Sequence, residues 1–292
     1  TPSYPNMINF ESYYKGMYTV LNISNDAINT IKNKGDKEVQ NEGMNLAGAY
    51  FMQGTSLGSI GLLFDKGFIV TDETDLSAEI PMVGYDEIIT AAVASLDKAI
   101  KLCEDSTFTV PQSWFPSSAT YTNVEFGALA NTMAARLLTY KSRNAAQNTA
   151  NDWNKILGYA QKGITMDFSI VMDDITWYNL LATYSVYTGW GRIDMRVINM
   201  MDPGMDPWFP ASGDVAELPN NGLATSNDAR LLSDYGYKAA QDFSAERGIY
   251  HFTTYRYKRY DLYLSTWTEA LPYIRKAEND MILAEALART GS

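Results

Sequence analysis

The chain has 292 residues, of which 46% are hydrophobic and 20% charged, and a net charge of −11. This composition is typical of a packed globular protein and excludes a disordered tail or a collagen-like fibre. The acidic balance excludes a general nucleic-acid-binding role, because neutralising phosphates needs a basic face. It also argues against electrostatic docking on an anionic membrane.

The scarcity of cysteine and histidine limits the chemistry that the chain could perform. Cys103 is the one cysteine, so neither an intrachain disulfide nor a thiolate metal cluster can form. It follows an apolar helical stripe, which predicts a buried and inert thiol. His251 is the one histidine, so Ser-His-Asp or Cys-His chemistry would have a single possible base. The sequence therefore predicts no enzyme, no catalytic residues, no cofactor and no metal. No apolar run approaches the length that spans a bilayer.

Apolar side chains spaced by 3.6 residues predict five helices in the first 165 residues. These helices are expected over residues 10–31, 39–63, 85–103, 123–141 and 151–164. The third is the clearest, with a stripe that includes Ile88, Ala92, Leu96 and Ala99. In the second, three glycines on one face predict the close approach of a neighbouring helix. They are Gly43, Gly54 and Gly61.

Thr122 and Glu125 have the spacing of a capping box, which predicts that the fourth helix begins there. Residues 165–271 then change in character, because they hold four of the six tryptophans and four of the ten prolines. This mixture predicts loops and short strands, with one strand over residues 250–260. Pro272 is expected to open a last helix. Its predicted buried stripe is Ile274, Ala277, Met281, Ala284 and Ala288.

The predicted fold is mainly α, with a tetratricopeptide-like helical-repeat array, a loop-rich segment and few short strands. We expect one domain over residues 1–292. Within it, residues 1–164 would form helical repeats, residues 165–271 a loop-rich segment facing a ligand, and residues 272–292 a returning repeat helix.

Five segments together resemble the SusD/RagB family. Residues 275–286 are similar to the family's R-x-A-E-x-x-x-x-x-A-E-A helix, and residues 41–63 to its E-x-x-x-L-x-A-x-x-Y-F helix. Residues 85–104 match an amphipathic I-x-x-D-L-x-x-A helix, and residues 134–140 match A-x-R-x-L-x-Y. Residues 192–196 are similar to the family's D-x-R segment.

The resemblance implies a surface lipoprotein of the bacterial outer membrane that binds oligosaccharides without cleaving them. It would deliver them to a partner TonB-dependent transporter of the SusC type, and it would touch the membrane only through an N-terminal lipid anchor outside this chain. On this interpretation the chain is a fragment that also lacks the family's C-terminal end. Two alternatives stay open: a peptide-capturing protein of the same fold, and a glycoside hydrolase.

Aromatic residues in loops are the candidates for ligand contact, since a sugar ring packs its C–H face on an indole or phenol. Two tryptophan–phenylalanine pairs stand in turns flanked by proline, and two further tryptophans lie in the loop-rich segment. The candidates are Trp208, Phe209, Trp114, Phe115, Trp190 and Trp177. The alternative is that such rings only anchor loops on the core.

Acidic turns leave two other interpretations open. Asp72, Glu73 and Asp75 could bind Ca²⁺ through carboxylate oxygens, although the EF-hand pattern is absent. The same acids, or Asp173 with Asp174, could form the carboxylate pair of a glycoside hydrolase. Solvated loop carboxylates are the third possibility.

Overall fold

The computed structural model describes residues 7–34, 40–187, 192–208, 222–238 and 253–291. Its helices are α1 (Met7–Lys34), α2 (Glu42–Leu63), α3 (Tyr85–Asp105), α4 (Asn123–Tyr140), α5 (Ala145–Thr149), α6 (Trp153–Gln161), α7 (Leu180–Val186), α8 (Met195–Met201), α9 (Ala229–Asp234), α10 (Asp261–Thr266) and α11 (Lys276–Thr290). Its strands are β1 (Lys66–Phe68), β2 (Met82–Gly84), β3 (Phe168–Val171), β4 (Tyr235–Tyr237), β5 (Tyr255–Tyr257) and β6 (Ala270–Ile274).

The prediction of a mainly α fold with few short strands is confirmed. The strands form two-stranded sheets that pair β1 with β2, β3 with β6, and β4 with β5. The first and last of these sheets are antiparallel, with Gly67 opposite Val83 and Gly236 opposite Arg256. None of the helices in the described residues is long and apolar enough to cross a membrane.

The chain divides into two compact units. Unit 1 comprises Thr1–Ser169 and Pro272–Ser292, and unit 2 comprises Ile170–Leu271. Unit 1 contains the long helices α1 to α4 together with α5, α6 and α11, whereas unit 2 contains the short helices α7 to α10.

Two of the three glycines singled out in α2, Gly54 and Gly61, lie against the neighbouring helix α3, whereas Gly43 faces Ser106 just beyond it. A methyl group added at Gly54 would lie 2.8 Å from the carbonyl oxygen of Ala92, and one at Gly61 would lie 3.1 Å from that of Tyr85. Backbone contacts of this kind cannot shift as a flexible side chain can, so the two helices approach closely only because these positions lack a Cβ. Leu96, in the predicted stripe of α3, is fully buried beside Gly54.

Helix α4 begins at the predicted capping box. The Thr122 hydroxyl accepts a hydrogen bond from the Val124 N–H, and the Glu125 carboxylate accepts one from the Thr122 N–H at 2.8 Å. Cys103 is buried, and this burial raises the pKa of its thiol to about 12. The prediction of a buried cysteine is confirmed, and a thiol with a raised pKa stays protonated at neutral pH.

The last helix differs from its prediction. Pro272 lies within β6, and α11 begins only at Lys276. The predicted stripe is wrong beyond Ile274, because Ala277, Met281, Ala284 and Ala288 are all exposed. The buried positions are instead Asn279, Ile282 and Ala286. Asn279 is a polar residue whose burial depends on hydrogen bonds to other helices, and apolar spacing cannot reveal such a residue.

Two other expectations need correction. Phe10 and Tyr13, apolar positions in the predicted first helix, are exposed, whereas the Tyr14 ring contacts Phe64 with a centroid distance of 4.8 Å. The loop-rich segment contains four short helices that apolar spacing did not predict. Three of them begin at an Asn or Asp whose side chain accepts a backbone N–H, namely Asn179, Asp194 and Asp228. The strand expected over residues 250–260 is described only at β5.

Candidate functional site

Trp208 stands exposed at the end of a turn in unit 2, and 62% of its surface is accessible. The turn follows α8 and is closed by Asp202, whose carboxylate accepts the Gly204 N–H at 3.1 Å. The Arg196 guanidinium lies 5.8 Å from the centre of the Trp208 ring, which is the distance of a cation–π contact. Arg196 is itself held by two hydrogen bonds to the Asp194 carboxylate. A ligand role for Trp208 stays a prediction.

Trp114 and Phe115 make packing contacts in unit 1. A methyl group on Gly48 would come within 2.4 Å of the Trp114 ring, so this indole packs directly on the backbone of α2. The Phe115 ring makes edge contacts with Tyr121 and Phe168, at centroid distances of 5.3 and 5.1 Å. Both residues are half-buried. These contacts favour the alternative in which the two rings anchor their loop on the core.

Trp177 is held on a tight turn in unit 2. The Asp173 carboxylate accepts hydrogen bonds from the backbone N–H groups of Ile175, Thr176 and Trp177 at 2.7 to 2.9 Å. The bonds from Trp177 and Ile175 are the main reason that the pKa of the Asp173 carboxyl lies below its ordinary value. Asp174 takes a left-handed conformation with φ of 59°. The turn therefore holds Trp177 in place, and its ring is half-buried.

Three aromatic rings meet in unit 2 and form what we call the aromatic cluster: Tyr187, Tyr263 and Trp267. The ring of Trp267 lies edge-on to Tyr263 at 5.4 Å, and its centroid is 6.2 Å from that of Tyr187. Tyr263 is buried, and its hydroxyl oxygen lies 3.3 Å from the Asn179 N–H that it accepts. Tyr187 is exposed, whereas Trp267 is half-buried like Trp114 and Trp177, so the cluster presents aromatic surface to solvent mainly through Tyr187.

The backbone of Trp267 is unusual for a bulky residue. It caps the C-terminus of α10 in the left-handed region, with φ of 59° and ψ of 9°. This conformation favours glycine, and a large side chain in it is strained unless its surroundings hold it. The Trp267 N–H donates to the Tyr263 carbonyl oxygen at 2.6 Å, which ties the strained residue to the helix. Sequence reasoning did not select Trp267, because left-handed helix caps are usually glycine or asparagine.

Polar groups flank the cluster and could bind hydroxyl groups. Tyr178 precedes Asn179 in the chain, and Tyr184 lies on α7, which ends just before Tyr187. Both tyrosines are exposed. Thr266 and Glu269 lie on either side of Trp267 in the chain, 3.5 Å apart between the hydroxyl and a carboxylate oxygen. An arrangement of aromatic faces with hydroxyl and carboxylate groups at the edge suits a sugar, which is apolar on its ring faces and polar at its rim.

Four of the acidic residues considered for a metal or hydrolytic site are hydrogen-bonded or ion-paired within the protein. Asp72 accepts hydrogen bonds from Lys32, Gln53 and Tyr50, whereas Glu73 pairs with Lys98. Asp75 and Asp173 accept hydrogen bonds within their own turns. Within the described ranges, no three His, Cys, Asp or Glu side chains are grouped so as to hold a metal ion.

Two of the predicted ligand-contacting residues, Trp190 and Phe209, lie outside the described residues. The structure places Trp177 two residues before Asn179, which contacts the aromatic cluster through Tyr263. It places Trp208 on a separate turn, beside Arg196, and leaves Trp114 and Phe115 in the helical unit.

No family model matches the chain, and no curated protein matches it in sequence. Solved structures do match it. A SusD/RagB family protein from Bacteroides thetaiotaomicron VPI-5482 superposes with a TM-score of 0.58 over 96% of this chain, at 15% identity. A SusD superfamily protein from Bacteroides vulgatus ATCC 8482 gives a TM-score of 0.54 over 97% of this chain, at 11% identity. A crystal structure with a xylogluco-oligosaccharide gives 0.56 over 95%, at 9% identity.

The chain spans 56% to 62% of the length of these three structures. At such low sequence identities the likeness concerns the fold, and it agrees with the resemblance drawn from the five sequence segments. The chain has the fold of the SusD/RagB family.

Proposed function

We propose that this protein binds oligosaccharides at the aromatic cluster and does not cleave them. The fold supports the proposal, since one of the similar structures was crystallised with a xylogluco-oligosaccharide. Aromatic side chains that stay partly exposed are costly unless they contact a partner, because their apolar area remains wet. A sugar ring stacked on Trp267 or Tyr187 would cover that area.

The observation that carries the proposal is the left-handed backbone of Trp267, a half-buried residue whose ring contacts the exposed Tyr187. Strained backbone is found most often at binding and catalytic sites, where the surrounding structure maintains it. Here the Tyr263 ring contacts the indole edge-on, and the Tyr263 carbonyl oxygen accepts a hydrogen bond from the Trp267 N–H. The indole is therefore fixed before a ligand arrives, which lowers the entropic cost of binding.

The absence of turnover is part of the proposal. A glycosidase needs one carboxyl to act as acid and another to act as base or nucleophile across a cleft. Asp72 is buried under Lys32, and Asp173 is occupied by three backbone N–H groups. The Asp72 carboxylate is thus enclosed by its ion pair, and one oxygen of the Asp173 carboxylate is engaged by its own turn.

The family resemblance supports a further part of the proposal. The protein would sit on the outer membrane, exposed at the cell surface through a lipid anchor, and pass its ligand to a SusC-like TonB-dependent transporter. Co-purification of such a transporter with the full-length protein from outer membranes tests this part. Recovery of the protein free of any transporter, in the soluble fraction, would contradict it.

The binding experiment uses Trp267→Gly and isothermal titration with xylogluco-oligosaccharides and a panel of other neutral oligosaccharides. Glycine fits the left-handed position without strain, so this variant removes the ring while keeping the backbone. We expect a loss of affinity of about ten- to a hundredfold, the effect of roughly 1–3 kcal/mol in binding free energy. Trp267→Phe should retain part of the affinity.

Trp208→Ala is the matched control, because Trp208 is an exposed tryptophan of the same unit outside the cluster. Equal affinity in Trp267→Gly and the unaltered protein would overturn the aromatic cluster as the site. A loss of affinity in Trp208→Ala but not in Trp267→Gly would place the site at Trp208 and Arg196. Product analysis after long incubation tests turnover. Release of cleavage products by the unaltered protein but not by Asp173→Asn would contradict a non-catalytic role.

A further inference from the structure

A hollow lies in unit 1, between helix α1 and the segment that follows β1. It encloses about 680 Å³, and its walls include Asn22, Asp26 and Asn29 from the helix. A smaller hollow of about 470 Å³ continues from it toward Lys15 and shares Tyr18, Asn22 and Phe68 with it. We call the two together the α1 groove. Its size lies within the range of small-ligand sites.

The walls of the α1 groove are fixed by hydrogen bonds to the backbone of the segment. The Tyr18 hydroxyl accepts the Phe68 N–H at 2.6 Å and donates to the Phe68 carbonyl oxygen at 3.0 Å. The Asn25 amide donates to the Val70 carbonyl oxygen at 3.0 Å, and its own oxygen accepts from Gln53 at 2.7 Å. The Thr71 N–H donates to the Thr74 hydroxyl at 2.9 Å. The groove therefore exists without a ligand.

One wall is polar and has hydrogen-bonding groups to spare. Asn22, Asp26 and Asn29 follow one another at i, i+4 and i+7, so they line one face of α1. All three are exposed, and their side chains make no hydrogen bond to any other residue that the structure describes. Two amides and a carboxylate thus point along the length of the groove with unused donors and acceptors.

The other wall is mainly apolar. It is built from Phe68, Val70, Leu76, Ala78 and Ile80, with Thr71 and Thr74 between them, whose hydroxyls are hydrogen-bonded within the segment. Leu76 is 74% exposed at its rim. A ligand that fills the groove must therefore have one apolar side and one side rich in hydrogen-bonding groups.

Charge and backbone geometry restrict the ligand further. Lys15 is the one basic residue among the described residues of the groove, and it is already bonded to Glu11. Asp26 adds a negative charge, so an anionic ligand would be repelled. A peptide that adds as a strand needs free backbone groups along an edge, but both groups of Phe68 are bonded to Tyr18 and the carbonyl of Val70 is bonded to Asn25.

We propose that the α1 groove is a second binding site for a neutral oligosaccharide. Its hydroxyl groups both donate and accept, so they match the amides of Asn22 and Asn29, and its ring faces match the apolar wall. This site lies wholly within unit 1 and does not depend on the aromatic cluster. Binding at one site can therefore fail while binding at the other holds.

The test follows side-chain amide resonances of asparagine in Trp267→Gly by NMR, during titration with cellotetraose and with a xylogluco-oligosaccharide. We expect the signals of Asn22 and Asn29 to shift with at least one neutral probe. In the same background, Asn22→Ala with Asn29→Ala should weaken that binding about tenfold or more, the effect of losing one or two hydrogen bonds. Asn33→Ala, an exposed asparagine of α1 outside the groove, should leave the affinity unchanged.

Two comparisons decide between occupants. A galacturonate oligosaccharide should bind more weakly than cellotetraose, and an extended neutral peptide should leave the Asn22 and Asn29 signals unmoved. The absence of any shift with neutral sugars at millimolar concentration would overturn the proposal, and so would equal affinities in the double variant and Asn33→Ala. Either outcome would leave the proposal for the aromatic cluster standing. That proposal is tested by substituting Trp267 in a chain whose groove residues are unchanged.

Discussion

The side-chain oxygen of Asn279 lies 3.1 Å from the hydroxyl of Thr132, and this hydrogen bond joins the last helix to α4. The Asn279 amide nitrogen donates to the Ala160 carbonyl oxygen at 2.9 Å, while the Thr132 hydroxyl accepts the Ile164 N–H at 2.9 Å. Asn279 is only 3% exposed. A methyl group on Gly163 would lie 2.2 Å from the Asn279 oxygen, so the adjacent turn has room for glycine alone.

Asn279→Ala should therefore destabilise the protein by about 2 kcal/mol, because it removes one of the donors to the Ala160 carbonyl oxygen and the acceptor of the Thr132 hydroxyl, and it opens a small cavity. Gly163→Ala should destabilise it as well, since the new methyl group would push Asn279 from its place. Urea unfolding followed by circular dichroism measures both. Asn154→Ala is the control, because Asn154 is exposed on α6, and it should change the free energy of unfolding by less than about 0.5 kcal/mol. An effect of Asn279→Ala no larger than this control would contradict the structural role.

The contact between α2 and α3 gives a second prediction. Leu96→Ala should cost about 2–5 kcal/mol, the range for a fully buried leucine. Gly54→Ala should cost about 1–3 kcal/mol, because its methyl group would meet the Ala92 carbonyl oxygen, which belongs to the backbone and cannot turn away. Gly16→Ala is the matched helical control.

Gly16 has no atom within 4 Å of the added methyl group, so its substitution should be neutral or slightly stabilising. The three variants can be compared by thermal unfolding at one protein concentration. If Gly54→Ala melted at the temperature of Gly16→Ala, the close packing of the two helices would be refuted.

These helices show what the sequence could predict. The spacing of Ile88, Ala92 and Leu96 repeats over many turns, and such a long stripe has few alternatives to a buried helix. The capping box at Thr122 and Glu125 is likewise local, because both partners lie within one turn. Information contained in a short stretch of chain was therefore sufficient for the first four long helices.

Other features depend on residues far apart in the chain. Asn279 is buried because Thr132 and Ala160, more than a hundred positions away, supply its hydrogen bonds, and no pattern near residue 279 reveals this. Trp267 is similar, since its left-handed backbone contradicts the local preference, and its ring contacts Tyr187, which lies far earlier in the chain. The candidate site was thus harder to predict than the helices, because tertiary contacts override local preference there.

A buried carboxylate in unit 1 makes stability depend on pH. The Asp72 side chain is 1% exposed and accepts hydrogen bonds from Lys32 at 2.7 Å and from Gln53 at 3.0 Å. Burial by itself raises the pKa of Asp72, but these bonds and the charges of Lys32 and Lys98 outweigh it, so the pKa lies below the ordinary 3.8. A lowered pKa in the folded state stabilises the protein above about pH 4, and that contribution is lost as the pH falls through the folded-state value.

Asp72→Asn should therefore lower the free energy of unfolding at pH 7 by about 1–3 kcal/mol, the cost of weakening hydrogen bonds to a buried charge. It should also make the decline of stability below pH 4 shallower. Denaturant titrations between pH 2 and 7 measure both effects. Asp105→Asn breaks an exposed pair with Lys101 and should change stability by less than about 0.5 kcal/mol. Parallel pH curves for the unaltered protein and Asp72→Asn would contradict the prediction.

The last prediction separates two tryptophans that both stand near prolines in the sequence. Trp114 packs on the backbone at Gly48 and edge-on to Phe126 at 6.1 Å, whereas Trp208 is largely exposed beside Arg196. Trp114→Ala should therefore destabilise the protein by about 2–4 kcal/mol, because it removes a ring from a packed helical surface. Trp208→Ala should change stability by less than about 1 kcal/mol, since it removes only an exposed ring and one cation–π contact.

Thermal unfolding and oligosaccharide titration of the same two samples give the comparison. Below its melting temperature, Trp114→Ala should bind the oligosaccharide with unchanged affinity. In the unaltered protein the Trp114 indole contacts Gly48 and Phe126 rather than a ligand surface. Phe126→Leu serves as its companion, since it removes the facing ring edge while keeping most of the apolar volume, and it should cause a smaller loss of stability. A stable Trp114→Ala variant with weakened binding would assign this residue to ligand contact and contradict its role in anchoring the loop.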